Sequence, residues 1–238
     1  MKYPNTIRGE FISRPNRFIA QVNINGRNET VHVKNTGRCK ELLIPGSEVW
    51  LTAPGTPGRK TLYDLVAVKK SNGRLINIDS QAPNKAVLEW LKPCDNIKIT
   101  PEYTYGSSRI DFFLERVQSE GNTEKILMEV KGCTLENDGI GYFPDAPTIR
   151  GIKHIHELIG AVREGYTAIL AFVIQMDGIR EVRPNIATHP EFGTAIDEAR
   201  KSNVNIVFFT CHVAPHELLI TGESEKGRFF EKKPGKKI

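Results

Sequence analysis

The apolar run 126–132 contains two charged residues that could carry chemistry. Glu129 and Lys131 are two residues apart, so in an extended strand both side chains project from one face while Met128 and Val130 project from the other. Burial of a carboxylate and an ammonium group is unfavourable unless the two pair with each other or bind a metal ion. The pattern therefore indicates either a structural ion pair or a metal-binding or catalytic site.

A second acidic residue in an apolar setting, Asp111, lies in the segment 109–116. If this segment pairs with the strand predicted at 125–135, Asp111 converges with Glu129 and Lys131 at one end of a sheet. Two carboxylates can hold Mg²⁺ or Mn²⁺, which polarises a phosphate and activates water, while the lysine orients that water or offsets developing charge. The three are candidate catalytic residues of a metal-dependent phosphodiesterase, with Asp111 and Glu129 as ion ligands. The alternative is an ion pair on an exposed sheet face.

Two predicted helices offer further site residues. Glu89 lies on the helix before the strands, where it either faces the ion as a third acid or lies on a solvated helix face. On a later helix, Arg150, His154 and Glu157 follow helical spacing and form one polar stripe. That stripe faces either the ion and a scissile phosphate or solvent.

The elements that must position these residues follow from hydrophobic spacing after residue 80. Three helices and five strands follow there, and the last two strands are separated by a helix, which favours βαβ packing and a mixed sheet covered on both faces. In order they are helix Asn84–Lys92 with Asn84 as N-cap, strands Ile97–Tyr105, Arg109–Arg116 and Lys125–Leu135, helix Pro147–Arg163, strand Thr167–Ile174, helix Pro190–Lys201 and strand Val204–Thr210.

The first 80 residues have a different pattern, of short β-segments separated by turns. Asn25-Gly26 and Asn72-Gly73 are strong hairpin signals because both turn positions tolerate positive φ. The predicted strands are Ile7–Ser13, Arg17–Ile24, Thr30–Lys34, Glu48–Ala53, Leu62–Lys69 and Leu75–Asp79. Short strands at this spacing, in a basic context, predict a small barrel of the OB-fold type.

Charge is distributed unevenly along the 238 residues, whose net charge is +5. Residues 1–80 carry +7, residues 81–224 carry −6 and residues 225–238 carry +4. We predict these three ranges as a nucleic-acid-binding domain, a nuclease-like domain and a basic tail. The basic first domain indicates an anionic partner, because clustered Lys and Arg side chains attract the phosphate backbone.

Five basic residues of the first domain are candidates for contacts with nucleic acid, and they flank turn-forming residues and Phe18. An exposed aromatic ring could stack on a base, as in OB-folds that bind single strands. For Phe18 a place in the barrel core is the favoured interpretation. The five basic candidates are Arg14, Arg17, Lys34, Arg38 and Lys40.

Composition excludes several other classes of protein. The longest purely apolar run, Ala168–Ile174, is far shorter than the roughly 20 residues that a membrane-spanning helix needs. The 4 cysteines are scattered, without the Cys-x-x-Cys pairs of a zinc finger. We therefore expect a soluble cytoplasmic protein without a membrane partner. The sequence is silent on oligomeric state.

Six segments together resemble the sugar fermentation stimulation protein A (SfsA) family, and the resemblance spans nearly the whole chain. The segments are 14–18 (RPNRF), 32–38 (HVKNTGR), 41–46 (ELLIPG), 108–112 (SRIDF), 128–134 (MEVKGCT) and 143–154 (FPDAPTIRGIKH).

The resemblance implies an OB-like β-barrel followed by a restriction-endonuclease-like α/β domain of the PD-(D/E)xK type. It also implies DNA binding with little sequence preference and a regulatory role in maltose metabolism. Asp111 matches the Asp of the motif, with Ile110 in place of the Pro, and Glu129 and Lys131 match its Glu-x-Lys. The family motif also favours site roles for Arg150, for His154 and for Asp145, whose default interpretation is a helix N-cap.

We therefore expect a protein that binds nucleic acid, with DNA as the expected form, and that hydrolyses phosphodiester bonds with Mg²⁺ or Mn²⁺. The alternative is a non-catalytic DNA-binding regulator of sugar (maltose) metabolism genes, in which the carboxylates and the lysine are structural.

Overall fold

A computed structural model of the chain describes residues 1–35, 37–119 and 121–224. The predicted basic tail, 225–238, lies outside these residues. The first domain is built from β1 (Thr6–Ser13), β2 (Ile19–Ile24), β3 (Arg27–Val33), β4 (Glu48–Thr52), β5 (Asp64–Lys69) and β6 (Leu75–Asn77).

The first five strands close into a barrel. Antiparallel pairing runs in the order β3-β2-β1-β4-β5, and a parallel contact between β3 and β5 joins the two ends. This is the ring order of an OB-fold, so the predicted barrel is confirmed. Alternate residues of β2 point inward, and the β2–β3 hairpin turns at Asn25-Gly26, where both residues have positive φ (51° and 82°) as a tight hairpin turn requires.

The second part of the chain contains three helices and nine strands within the described residues. They are α1 (Ala82–Leu91), β7 (Ile97–Tyr105), β8 (Ser108–Val117), β9 (Thr123–Cys133), β10 (Leu135–Asn137), β11 (Ile140–Phe143), α2 (Ile149–Arg163), β12 (Thr167–Ile174), β13 (Glu181–Pro184), α3 (Pro190–Lys201), β14 (Asn205–Ala214) and β15 (Glu217–Ser224).

Six of these strands form the central mixed sheet, in the order β15-β14-β12-β9-β8-β7. Strands β9, β12 and β14 are parallel neighbours, while β8 pairs with β9 in the antiparallel sense. Helix α1 packs on one face, in a core that includes Met128 and Val130, and α2 and α3 pack on the other, in a core that includes Leu127 and Leu170. The predicted mixed sheet with both faces covered is thus confirmed.

The starts of α1 and α2 differ from the predicted ones, whereas α3 has the predicted bounds. Helix α1 begins at Ala82 with Gln81 as N-cap, so Asn84 lies in the first turn rather than at the cap. Helix α2 begins at Ile149, and the side chain of Thr148 caps it by accepting a hydrogen bond from the Gly151 amide at 3.1 Å. A side-chain oxygen satisfies an exposed amide group at this position, which explains why the helix starts after Pro147.

A small second sheet of β10, β11 and β13 and the edge strand β15 were not predicted. Strands β10, β11 and β13 have only three or four residues each, which is too short for an alternating pattern to identify them. Their pairing is decided by tertiary contacts: β11 lies parallel to β13, which is distant in sequence.

The two domains are joined by buried polar contacts. The Gln175 side-chain amide donates to the backbone oxygen of Asn77 at 3.0 Å and to that of Asp79 at 3.1 Å. In a second contact, the buried carboxylate of Glu136 forms ion pairs with Lys70 and Arg74 of the β5–β6 turn. Buried polar groups of this kind hold one relative arrangement because each requires its partner. The barrel is therefore fixed against the end of the central sheet at which β9 and β12 finish.

Candidate active site and nucleic-acid interface

The Glu129 carboxylate is buried within the second domain, with its side chain only 3% exposed. Its Oε1 accepts a hydrogen bond from Lys131 Nζ at 2.5 Å, and it also contacts Nδ1 of His154 on α2. Glu129 and Lys131 thus share the face of β9 that looks toward α2. Burial alone would raise the pKa of Glu129, but the hydrogen bond from His154 and the charge of Lys131 hold it below its ordinary value.

Asp111 lies beside this pair because β8 and β9 are neighbours. The paired stretch of the two strands ends at Phe112 and Met128, and Asp111 is the residue next to Phe112. Its Oδ2 accepts a hydrogen bond from the Val130 backbone amide at 2.7 Å. The structure therefore brings Asp111, Glu129 and Lys131 together. Partial burial and the charge of Glu129 raise the pKa of Asp111, against hydrogen bonds that favour its ionised form.

One oxygen of this cluster has no partner. Glu129 Oε2 is buried and, in the part of the chain that the structure describes, no hydrogen-bond donor reaches it. A buried carboxylate oxygen without a donor is costly, and two neighbouring carboxylates repel each other. Both observations fit a hard divalent cation held between Asp111 and Glu129, since such ions prefer oxygen ligands. No group of three or more His, Cys, Asp or Glu side chains able to hold a metal is present among the described residues, so the remaining ligands would be of other kinds.

His154 and Arg150 extend the cluster toward the surface. His154 is buried, and its Nε2 accepts from Arg150 Nε at 3.4 Å. Because a carboxylate only accepts hydrogen bonds, Nδ1 of His154 is the donor in its contact with Glu129. Arg150 is exposed, and its outer guanidinium nitrogens are therefore available to an anion at the mouth of the site.

Glu89 does not join this cluster. Its carboxylate pairs with the Met1 amino group at 2.7 Å and is 54% exposed. Five residues along a helix correspond to a rise of about 7.5 Å and a rotation of about 140°, so Glu89 and Asn84 cannot face the same point. The expectation that α1 supplies an acidic ligand at Glu89 is corrected: the α1 residue that reaches Asp111 is Asn84, through Nδ2–Oδ1 at 2.7 Å.

Asp145 lies on the exposed loop before α2, against the barrel. A side-chain carbon added at Gly37 would come within 2.6 Å of Asp145 Oδ2, so the two loops are in close contact. Asp145 does not form a metal-holding group with Asp111 and Glu129 within the described residues. Asp145 instead contacts the barrel loop that contains Gly37, Arg38 and Lys40, which we call the basic loop.

Two of the five basic candidates have structural roles. The Arg14 guanidinium donates four hydrogen bonds of 2.6–2.8 Å to backbone oxygens of the surrounding loops, those of Arg17, Asn35, Gly37 and Arg38. Lys34 pairs at 3.0 Å with the fully buried Asp79. Both cations therefore have partners inside the protein, and the expectation that Arg14 and Lys34 contact nucleic acid stays a prediction.

Arg17, Arg38 and Lys40 are exposed and, together with Arg14, line a groove of about 470 Å³ on the barrel. Phe18 is 48% exposed rather than buried, and the Arg17 guanidinium lies 4.8 Å above its ring. The interpretation of Phe18 as a core residue is therefore wrong. Side chains of this kind, a cation next to an accessible ring, bind phosphate and stack on bases in single-strand binding proteins.

Sequence reasoning missed Asn84 and Gly132 as residues that shape the site. Asn84 follows Pro83, and a proline in the first turn marks the start of a helix, which is a signal against the N-cap assignment. Gly132 directly follows Lys131, and an added side-chain carbon there would lie 2.9 Å from Pro83 Cγ. This glycine lets α1 approach β9, which brings Asn84 to Asp111.

Comparison with known proteins gives one consistent result. The model of the SfsA N-terminal OB domain matches residues 12–78, and that of the sugar fermentation stimulation protein RE domain matches residues 81–217. Among curated proteins, the sugar fermentation stimulation protein homologs of Desulfitobacterium hafniense and Clostridium beijerinckii are 52% and 50% identical to the chain. These alignments cover 90% of this chain in both cases, and 92% and 93% of the relatives.

A solved structure agrees with this result. The structure of Pyrococcus furiosus SfsA in complex with Ca²⁺ superimposes with a TM-score of 0.80 at 28% identity, covering 94% of this chain and 96% of that one. Among the described residues, no helix is both long enough and apolar enough to cross a membrane.

Proposed function

The chain belongs to the sugar fermentation stimulation protein (SfsA) family, and on that premise we propose that it is a DNA-binding protein with a Mg²⁺-dependent phosphodiester-hydrolysing site. The observation that carries this proposal is the buried Glu129 carboxylate, whose Oε2 has no donor among the described residues while Asp111 and Lys131 lie beside it. The Ca²⁺ held by the archaeal relative supports the choice of a hard divalent cation.

Asp111 and Glu129 are the residues that would hold the ion. When bound, a divalent cation polarises a phosphate and makes water a stronger nucleophile. Lys131 supplies a positive charge 2.5 Å from Glu129, which suits it to orient water or to offset charge that develops on the phosphate. His154 holds the Glu129 carboxylate in place, and the exposed Arg150 is suited to bind a phosphate group at the entrance.

The barrel would bind the polymer. Arg17, Arg38 and Lys40 present positive charge along one groove, and this charge can attract the phosphate backbone. Contacts with phosphates do not distinguish one base sequence from another. The contact between Gly37 and Asp145 places this basic loop next to the domain that carries the acidic site. DNA lying in the groove would then be directed toward the second domain.

Cleavage of DNA and RNA, single- and double-stranded, tests the catalytic part of this proposal. We expect Mg²⁺- or Mn²⁺-dependent cleavage by the wild type, and its loss with EDTA and in Asp111→Ala and Lys131→Ala. Lys125→Ala is the matched control, because it removes an exposed lysine from the same strand, and it should cleave like the wild type. Equal residual cleavage in all variants would identify a contaminant and refute the assignment.

Salt-dependent binding tests the interface separately. Each of Arg17→Ala and Arg38→Ala should weaken DNA binding and reduce the slope of log K against log salt by about 0.7–0.9. Arg27→Ala, on the hairpin of the same barrel, is the control and should bind normally. Binding that depends on Arg17 and Arg38 without any cleavage by the wild type would favour the non-catalytic regulator of sugar metabolism genes.

A further inference from the structure

Asn84 is oriented toward Asp111 in only one way. The Asp111 carboxylate accepts hydrogen bonds when ionised, so the amide nitrogen of Asn84 must face it, as the 2.7 Å contact between Nδ2 and Oδ1 records. The amide oxygen of Asn84 therefore points away from that bond. Within the described residues, no hydrogen bond to this oxygen is formed. A polar oxygen next to the Asp111 carboxylate is thus available to a ligand.

The start of α1 is held rigidly, so this position of Asn84 is built into the fold. Asp79 is fully buried and its Oδ1 accepts the Gln81 amide at 2.9 Å, which fixes the residue that caps the helix. Pro83 packs against the bare backbone of Gly132, next to Lys131. The helix therefore cannot move away from β9 without breaking buried contacts.

We propose that Asn84 is the contribution of α1 to the ion site: it positions Asp111 through its amide group and offers its oxygen to the divalent cation. This inference rests on the proposed function. Amide oxygens are ordinary ligands of hard divalent cations. A neutral ligand also suits the charge of the site, because Asp111 and Glu129 already balance a doubly charged ion. A third carboxylate at this position would add a further negative charge beside Asp111.

Titration of the apo protein with Ca²⁺ or Mg²⁺ in a calorimeter tests the inference without reference to cleavage. Asn84→Ala should weaken ion affinity about 10–100-fold, the range found when groups that orient metal ligands are removed. The loss cannot be ascribed to the helix, since Ala has a higher helix propensity than Asn. Lys85→Ala, the exposed neighbour on the same turn, is the matched control and should bind like the wild type.

Asn84→Asp separates the ligand role from a purely structural one. The aspartate keeps an oxygen but adds a charge, so the apo protein should melt at a lower temperature while the ion-induced rise in Tm exceeds that of the wild type. An Asn84→Ala protein that binds the ion as tightly as the wild type overturns the inference, and so does an Asn84→Asp protein that fails to bind. If the wild type itself binds neither ion, the proposed function fails first.

Discussion

Gly132 lies where the two domains and α1 meet, and replacing it with alanine should destabilise the fold. The added carbon would lie 2.1 Å from Gln175 Oε1 and 2.9 Å from Pro83 Cγ. The first distance is about 1 Å shorter than an ordinary carbon–oxygen contact of about 3.3 Å. Gln175 cannot simply move aside, because its amide group bonds to Asn77 and Asp79.

We expect Gly132→Ala to lower the free energy of unfolding by about 1–3 kcal/mol, the usual cost of overpacking a well-packed site. Urea denaturation followed by circular dichroism measures this change. The cost should fall by about 1 kcal/mol in a Gln175→Ala background, because the clashing oxygen is then gone and the two substitutions are coupled.

Gly160→Ala is the control for the general effect of replacing glycine. Gly160 lies inside α2, and no heavy atom would come within 4 Å of an added carbon. This substitution should stabilise the protein by about 0.5–1 kcal/mol, as alanine does inside a helix. The reasoning is refuted if Gly132→Ala leaves the free energy of unfolding unchanged, or if its cost is the same with and without the Gln175 side chain.

Three further predictions concern charged groups. Asp111→Asn should raise the stability of the apo protein. The pKa of Asp111 is higher in the folded than in the unfolded chain, so ionisation of this carboxyl group lowers stability as pH rises between the two values, and asparagine cannot ionise. The gain measured by urea denaturation should therefore be larger at pH 8 than at pH 4, and an equal gain at both would contradict the assignment. Glu136→Gln should cost about 3 kcal/mol, since it leaves Lys70 and Arg74 without their buried partner; a loss below about 0.5 kcal/mol would show that this contact does not hold the domains. Arg14→Ala should cost about 3 kcal/mol by removing four hydrogen bonds to backbone oxygens, two of them partly buried, and a stable variant that only loses DNA affinity would show that Arg14 serves the interface instead.

Much of the candidate site could be predicted because its signals are local. Charges inside apolar strands mark Asp111, Glu129 and Lys131, and alternation along β9 indicates that the last two share a face. The turn at Asn25-Gly26 and the regular spacing of short strands were enough to predict the barrel. The structure bears out these features because each depends on residues only a few positions apart.

The roles of individual polar side chains were decided by contacts between distant segments. Arg14 and Lys34 look like phosphate ligands in the sequence, but backbone oxygens and the buried Asp79 take up their hydrogen bonds. The position of Glu89 on its helix fitted either a metal-facing acid or a solvated face, and the orientation of α1 directs its carboxylate to the Met1 amino group.

The sequence by itself thus determined which strands and which carboxylates could form a site, because period-two patterning and the burial cost of charge are properties of a single segment. Only the tertiary structure decided which residue of α1 contacts Asp111. The contact of Asn84 with Asp111 depends on how closely α1 approaches β9. The bare backbone of Gly132 permits this approach, because Gly132 lies 49 residues after Pro83 in the sequence but against it in the fold.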